Sequence, residues 1–158
     1  MRSSHVTFVA VAMLCSLAFA PTAGANFGLG IIGGEPTGLS AKSWLGARTA
    51  VDAAAAWSFT DEEAVHLHAD YLVHFFDLID LDRGALPLYA GIGGRVKLGD
   101  EEDRVGVRVP VGLAYLFPRL PLDAFLEVVP LLDLNPETEL NLNAAVGVRY
   151  FFGSSYAP

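Results

Sequence analysis

The sequence has almost no cysteine. Only one of its 158 residues is a cysteine, Cys15, and it lies in an N-terminal segment that we expect to be removed. The mature chain would then have no thiol, which excludes disulfide bonds, iron–sulfur clusters and thiol chemistry. Lipid attachment at Cys15 is disfavoured because a lipoprotein signal needs a small residue before the cysteine, and this chain has Leu14 there.

Long apolar runs are also missing after Asn26. No stretch there approaches the roughly 20 residues that a membrane helix requires, although 53% of the whole sequence is hydrophobic. A β-barrel reconciles these two properties, because lipid-facing and lumen-facing residues alternate along each strand and the hydropathy averages out.

Positive charge is scarce as well. The chain has 10 Lys and Arg against 18 Asp and Glu, a formal net charge of −8 at pH 7. This balance argues against nucleic acid as a partner. Two acidic segments, 61–63 and 100–103, read as solvated surface loops, and neither has the spaced oxygen ligands of an EF-hand.

The first 25 residues have the features of a signal peptide. Arg2 gives a positive start, an apolar stretch too short to span a bilayer covers 6–20, and small residues at 21–25 provide an A-x-A cleavage site. We therefore expect cleavage after residues 1–25, with 26–158 forming a single domain.

Residues 105–117 show the clearest structural pattern. Every odd position from Val105 to Phe117 is apolar, whereas the even positions include Arg108, Gly106 and Gly112. A period of two indicates an extended strand with one apolar face, and glycines mark the other face as crowded. An apolar outer face and a tight polar inner face are typical of a small membrane β-barrel.

Turn signals divide residues 26–158 into eight such segments. Eight segments of about ten residues predict an all-β, eight-stranded antiparallel up-and-down barrel, closed so that no strand edge is left unpaired. Pro87, Pro110 and Pro130 fall inside segments, and we expect bulges or rims there. The third segment, 49–59, has an alanine run that is also compatible with a helix.

The same alternation fits a soluble, periplasmic lipocalin-like binding barrel with its faces exchanged. We favour the outer membrane of a diderm bacterium, because the apolar set is too bulky for an eight-stranded interior. Several outer aromatic residues also cluster at strand ends, where an interfacial girdle would lie: Phe59, Tyr115, Phe117, Tyr150 and Phe152. With both termini periplasmic, the turns near 35–38, 60–63, 99–103 and 134–139 would face outward.

The last segment carries an independent signal. The spacing of Gly147, Tyr150 and Phe152 resembles the terminal-strand signal that the barrel assembly machinery reads, although residues 153–158 extend past it. The expected partners are therefore this machinery and outer-membrane lipid.

Charged residues are predicted to face the lumen and to pair with one another. Six positive and five negative inward residues nearly cancel, which favours an ion-pair network over an open pore, because buried charges must be paired or solvated. The network comprises Lys42, Asp52, Asp70, Arg95, Lys97, Arg108, Asp123, Glu127 and Arg149, with Arg104 and Asp133 on the same face. A narrow channel for ions or small solutes is the alternative.

Metal binding and catalysis have weak candidates. Imidazole and carboxylate ligands that suit zinc, copper or nickel share one face of the fourth segment: His66, His68, Asp70 and His74. Four ligands from one strand make a poor coordination shell, so we predict lumen hydrogen bonds there, with no metal and no cofactor.

The lipid-facing side offers Ser43 and no histidine, so no nucleophile–base pair can form and we predict no enzyme.

Six stretches of the chain resemble a family of small bacterial outer-membrane barrels. They are GEPTGLSAKSWL (34–45), HADYLVHFF (68–76), LPLYAGIGGRVKL (86–98), RVPVGLAYLF (108–117), PLDAFLEVVPLLDLNPETEL (121–140) and GVRYFF (147–152). The resemblance covers nearly all of 26–158. It implies an eight-stranded barrel similar to OmpA-type transmembrane domains, without their periplasmic peptidoglycan-binding domain. It implies no activity, so we expect a structural or surface-interaction role with short acidic outer loops.

Overall fold

The fold is a single sheet of nine antiparallel strands, seen in a computed structural model that describes residues 26–34, 37–58, 64–99 and 103–153. The strands are β1 (Phe27–Gly34), β2 (Gly38–Trp44), β3 (Thr49–Ser58), β4 (Ala64–Phe75), β5 (Leu88–Gly99), β6 (Arg104–Arg108), β7 (Val111–Leu116), β8 (Leu122–Asn135) and β9 (Glu139–Phe152). In the described residues, no helix is long and apolar enough to cross a membrane. The predicted signal peptide, Phe59 of the predicted girdle, the whole acidic segment 61–63 and residues 100–102 of the second acidic segment lie outside the described residues.

The sheet closes into a ring. β1 pairs with β2 on one side and with β9 on the other, in a register that runs from Phe27↔Phe152 to Gly34↔Ala145. β6 and β7 follow one another between β5 and β8, so together they fill one position. The ring therefore has eight positions, which confirms the predicted all-β, eight-stranded barrel. The alanine-rich third segment is strand β3.

The sixth segment differs from the sequence prediction. A continuous strand was expected over 105–117, but the ladder is interrupted between β6 and β7, at Val109 and Pro110. Pro110 has no N–H to donate toward Gly91 on β5, and Pro130 on β8 has none to donate toward Val109, so the sheet loses two donors close together. The carbonyl groups remain bonded: the Val109 N–H donates to Pro130 O (3.0 Å) and the Gly91 N–H to Pro110 O (2.9 Å).

Burial alternates along the strands as the period of two predicts. On β8, Asp123, Glu127 and Asp133 are buried, whereas Leu126 and Leu132 between them are exposed. On β9, Arg149 is buried and its neighbours in the strand point outward. The described strands thus carry charge on the inside of the ring and apolar side chains on the outside.

Outward aromatic side chains gather at the end of the ring where β1 begins and β9 ends. The rings of Tyr150 and Phe152 meet edge to face at 5.0 Å, and those of Tyr115 and Phe117 at 4.7 Å. Phe27 is the register partner of Phe152 on the adjoining strand. These side chains lie where the predicted girdle would be at this end.

Candidate functional site

The middle of the lumen holds a cluster of buried charges. Seven charged residues there are at least nine-tenths buried, and we call them the lumen cluster: Lys42, Asp52, Asp70, Arg108, Asp123, Glu127 and Arg149. They come from β2, β3, β4, β6, β8 and β9. Their inward positions meet because the sheet closes around them.

One half of the lumen cluster is centred on Arg149. Its Nε donates to Asp123 Oδ1 at 3.0 Å and its Nη1 to Asp52 Oδ2 at 3.3 Å. Asp123 and Arg149 are register partners on neighbouring strands, whereas Asp52 reaches Arg149 across the lumen. Lys42 Nζ lies 3.6 Å from Asp123 Oδ2. The guanidinium also stacks on Phe125, 4.0 Å from the ring centroid, which is a cation–π contact.

The other half is centred on Arg108. Its Nη2 donates to Glu127 Oε1 at 3.3 Å, and Glu127 Oε2 accepts the Tyr89 hydroxyl at 2.9 Å. Arg108 Nε and Asp70 Oδ2 are 2.8 Å apart, but the contact lacks hydrogen-bond geometry and is ionic only. Gly93 makes room for Asp70, because a Cβ at this position would collide with Asp70 Oδ1.

Aromatic side chains surround Lys42 toward the end that carries the girdle. Lys42 Nζ lies 2.9 Å from His74 Nε2 and 4.3 Å from the centroid of Trp44. An ammonium group can only donate, so His74 accepts through Nε2 and its proton is on Nδ1. That Nδ1 donates to the carbonyl oxygen of Arg48 at 3.3 Å. His74 is therefore neutral in this arrangement and serves Lys42 as a hydrogen-bond acceptor.

A second group of charges lies toward the opposite end. Arg95 donates to both carboxylate oxygens of Asp133, at 2.6 to 3.0 Å. Arg104 Nη1 lies 3.8 Å from Glu139 Oε2 at the rim, a pair that the sequence did not predict. Lys97 is half-buried and makes no ion pair with any residue that the structure describes. Of the predicted network, Arg95 and Lys97 thus lie apart from the lumen cluster.

The four candidate metal ligands do not converge. His66, His68, Asp70 and His74 follow the inward face of β4, as predicted. Asp70 instead contacts Arg108, and His74 contacts Lys42. Within the described ranges, no group of three or more His, Cys, Asp or Glu side chains is placed to hold a metal ion.

The residues of the predicted assembly signal lie on both faces of β9. Gly147 faces the lumen, where a Cβ would collide with the Phe125 ring, and Tyr150 and Phe152 point outward. Their recognition by the assembly machinery stays a prediction.

Sequence reasoning did not identify Tyr89 and Phe125 as contacts of the lumen cluster. Tyr89, like Arg95 and Lys97, occupies an odd-numbered position of β5, and the odd-numbered side chains of this strand face the lumen. This alternation could have identified Tyr89 as a partner for a carboxylate. Phe125 is an apolar residue on a charged face, and nothing in the sequence marks it as a platform for Arg149.

Comparisons with known proteins support the fold. No protein-family model matches the chain, and no curated protein matches it. Among solved structures, the chain is similar to the crystal structure of the N-terminal β-barrel domain of Pseudomonas aeruginosa OprF, with a TM-score of 0.62 and 15% identity. The match covers 80% of this chain and 97% of that domain. At this identity the likeness shows the fold alone, which is an OmpA-like β-barrel.

Proposed function

We propose that this chain is a non-enzymatic β-barrel of the outer membrane, with a structural or surface-interaction role and a lumen closed by charge pairs. The observation that carries the proposal is the inverted polarity of the barrel wall. Arg108 and Arg149 are 2% and 1% exposed, whereas Ile31, Leu140 and Leu142 are 66%, 75% and 68% exposed. Lipid favours that arrangement, whereas proteins in water rarely expose large apolar surfaces.

The same inversion disfavours a soluble lipocalin-like binding barrel. Such a barrel would line its interior with apolar side chains, and this lumen has buried charges in its middle. The partners that follow from the proposal are outer-membrane lipid and, through Gly147, Tyr150 and Phe152, the barrel assembly machinery. In the sequence, the outward positions of the predicted strands include Ser43 but no histidine that could act as its base. Lipid analysis of a deletion strain tests the enzyme alternative.

Cell fractionation tests the location. We expect the protein in the outer-membrane fraction, and we expect unheated and heated samples to migrate differently in SDS gels, because a closed barrel without free edges resists detergent until it is heated. Recovery as a soluble periplasmic protein, with one mobility before and after heating, would contradict the proposal.

A narrow ion path is the second candidate function. Six buried side-chain atoms of the lumen cluster have no hydrogen-bond partner among the described residues, and they belong to Asp52, Asp70, Arg108, Asp123 and Arg149. Polar atoms of this kind are normally satisfied by water or ions, and a path for ions and water would supply both.

Planar-bilayer recording separates the two functions. We expect the purified wild-type protein to give a closed trace, because ion pairs between β2 and β8, between β3 and β9 and between β4 and β6 join strands that are not adjacent and cross the lumen. Stable unitary conductance of the wild type would instead support the channel.

A further inference from the structure

The charges of the lumen cluster do not balance. Its four carboxylates belong to Asp52, Asp70, Asp123 and Glu127, and its three cations to Lys42, Arg108 and Arg149. His74 does not supply a fourth cation, because its Nε2 accepts from Lys42. The nearby Arg95–Asp133 pair is neutral by itself. Among the described residues, one buried negative charge is therefore uncompensated.

The surplus negative charge lies at Asp52 and Asp70. These residues are direct register partners on β3 and β4 and both face inward, so their Cβ atoms are about 5 Å apart. They are 5% and 2% exposed. Asp52 Oδ1 and both oxygens of Asp70 accept no hydrogen bond in the described part of the chain, although Asp52 Oδ2 accepts one from Arg149. Asp123 Oδ2 accepts none either, but it lies 3.6 Å from Lys42 Nζ. Two buried like charges at this spacing are strongly unfavourable unless something neutralises them.

The neighbours of the two carboxylates reduce this repulsion only in part. Asp52 Oδ2 forms an ion pair with the Arg149 guanidinium, which also pairs with Asp123. Asp70 Oδ2 forms an ion pair with Arg108, which also pairs with Glu127. Each arginine is therefore shared between two carboxylates. The Oδ1 atoms of both aspartates are left as buried acceptors on adjoining strands.

We propose that Asp52 and Asp70 together bind one small monovalent cation of the sodium class. Carboxylate oxygens are the ligands that small, hard cations prefer. One monovalent ion cancels the single surplus charge, whereas a divalent ion would leave an excess of positive charge. Gly93, the register partner of Asp70 on β5, leaves the space that Asp70 Oδ1 occupies. The proposal does not depend on the cellular location of the barrel.

Thermal unfolding of the purified protein in detergent micelles tests this site. The wild type is compared in NaCl and in choline chloride at equal ionic strength, so that screening is the same, and at pH 8, where an ordinary histidine is neutral. Because a ligand that binds only the folded state raises its stability, we expect Tm to be higher in NaCl by about 3 °C and to saturate with Na⁺. Asp70→Asn keeps the shape of the side chain and removes the surplus charge, so we expect its Tm to be the same in both salts.

Two further variants keep the test decisive. Glu139→Gln removes a carboxylate at the rim, outside the lumen cluster, and should keep the full response to Na⁺. Asp52→Asn should abolish the response to Na⁺, as Asp70→Asn should. If Asp70→Asn does not fold, Asp52→Asn takes its place in the test. Equal melting of the wild type in the two salts overturns the proposal, and so does a Na⁺ response that survives in both Asn variants. If Tm changes with pH but not with Na⁺, a proton supplies the neutralising charge, and this result overturns the proposal as well.

Discussion

Replacing Arg108 by alanine is expected to lower the free energy of unfolding by about 3–5 kcal/mol. The Arg108 side chain is 2% exposed, and the two carboxylates that it contacts, Asp70 and Glu127, are 0% and 2% exposed. Their charges would remain buried without this cation, in a cluster that already has more carboxylates than cations. Urea or thermal unfolding in detergent micelles measures the loss.

The matched control is Arg48→Ala. Arg48 and Asp77 form an ion pair of 2.7 Å, but their side chains are 55% and 74% exposed. Water and salt screen such a pair, so its loss should cost no more than about 1 kcal/mol. If the two alanine variants lose equal stability, Arg108 is not in a buried, paired lumen and the inside–outside assignment is wrong.

Replacing Gly30 by alanine is expected to destabilise the barrel by about 3 kcal/mol or more, or to prevent its assembly. A Cβ at Gly30 would collide with the carbonyl oxygen of Val148 and would lie 2.6 Å from Arg149 Cα. Both obstacles are backbone atoms of β9, the strand that closes the ring on β1. Because no flexible side chain can move aside, the strands themselves would have to separate. The folded fraction in unheated gels and the unfolding curve of the remainder measure the effect.

Gly33→Ala on the same strand is the control for Gly30→Ala. Gly33 points outward, and the nearest heavy atom to an added Cβ is Val146 O at 3.9 Å, an ordinary contact. We expect this variant to assemble and unfold as the wild type does. Equal damage from the two substitutions would show that crowding on the lumen side is not the cause.

The sequence pattern was sufficient to predict the face of the wall on which each charge lies. A period of two assigns Asp123 and Arg149 to the inner face, and a hairpin between successive segments makes them neighbours. The structure places them as register partners, 3.0 Å apart at their closest polar atoms. Alternation and chain order therefore predict contacts between adjacent strands well.

Contacts across the lumen and the register between strands could not be predicted in this way. Asp52 and Arg149 lie on strands that are not adjacent, and their contact depends on the radius and stagger of the closed ring. The interruption at Pro110 has a similar origin. The sequence marks Pro110 and Pro130 as sites of disturbance, but only the register shows that Pro130 lies opposite Val109, the neighbour of Pro110, so that both prolines disturb the sheet at one place.

The most direct test of the central claim is the accessibility of spin labels on β8 in reconstituted bilayers. Leu126 and Val128 point outward and are 56% and 43% exposed, so each can carry a label on a single introduced cysteine. Labels at both positions should collide readily with oxygen, which dissolves in lipid, and be shielded from a water-soluble nickel complex. A label at Asp77, in an exposed turn, should show the opposite preference. If the labels at 126 and 128 were as accessible to the nickel complex as the label at 77, the outer face would be in water and the barrel would not span a membrane.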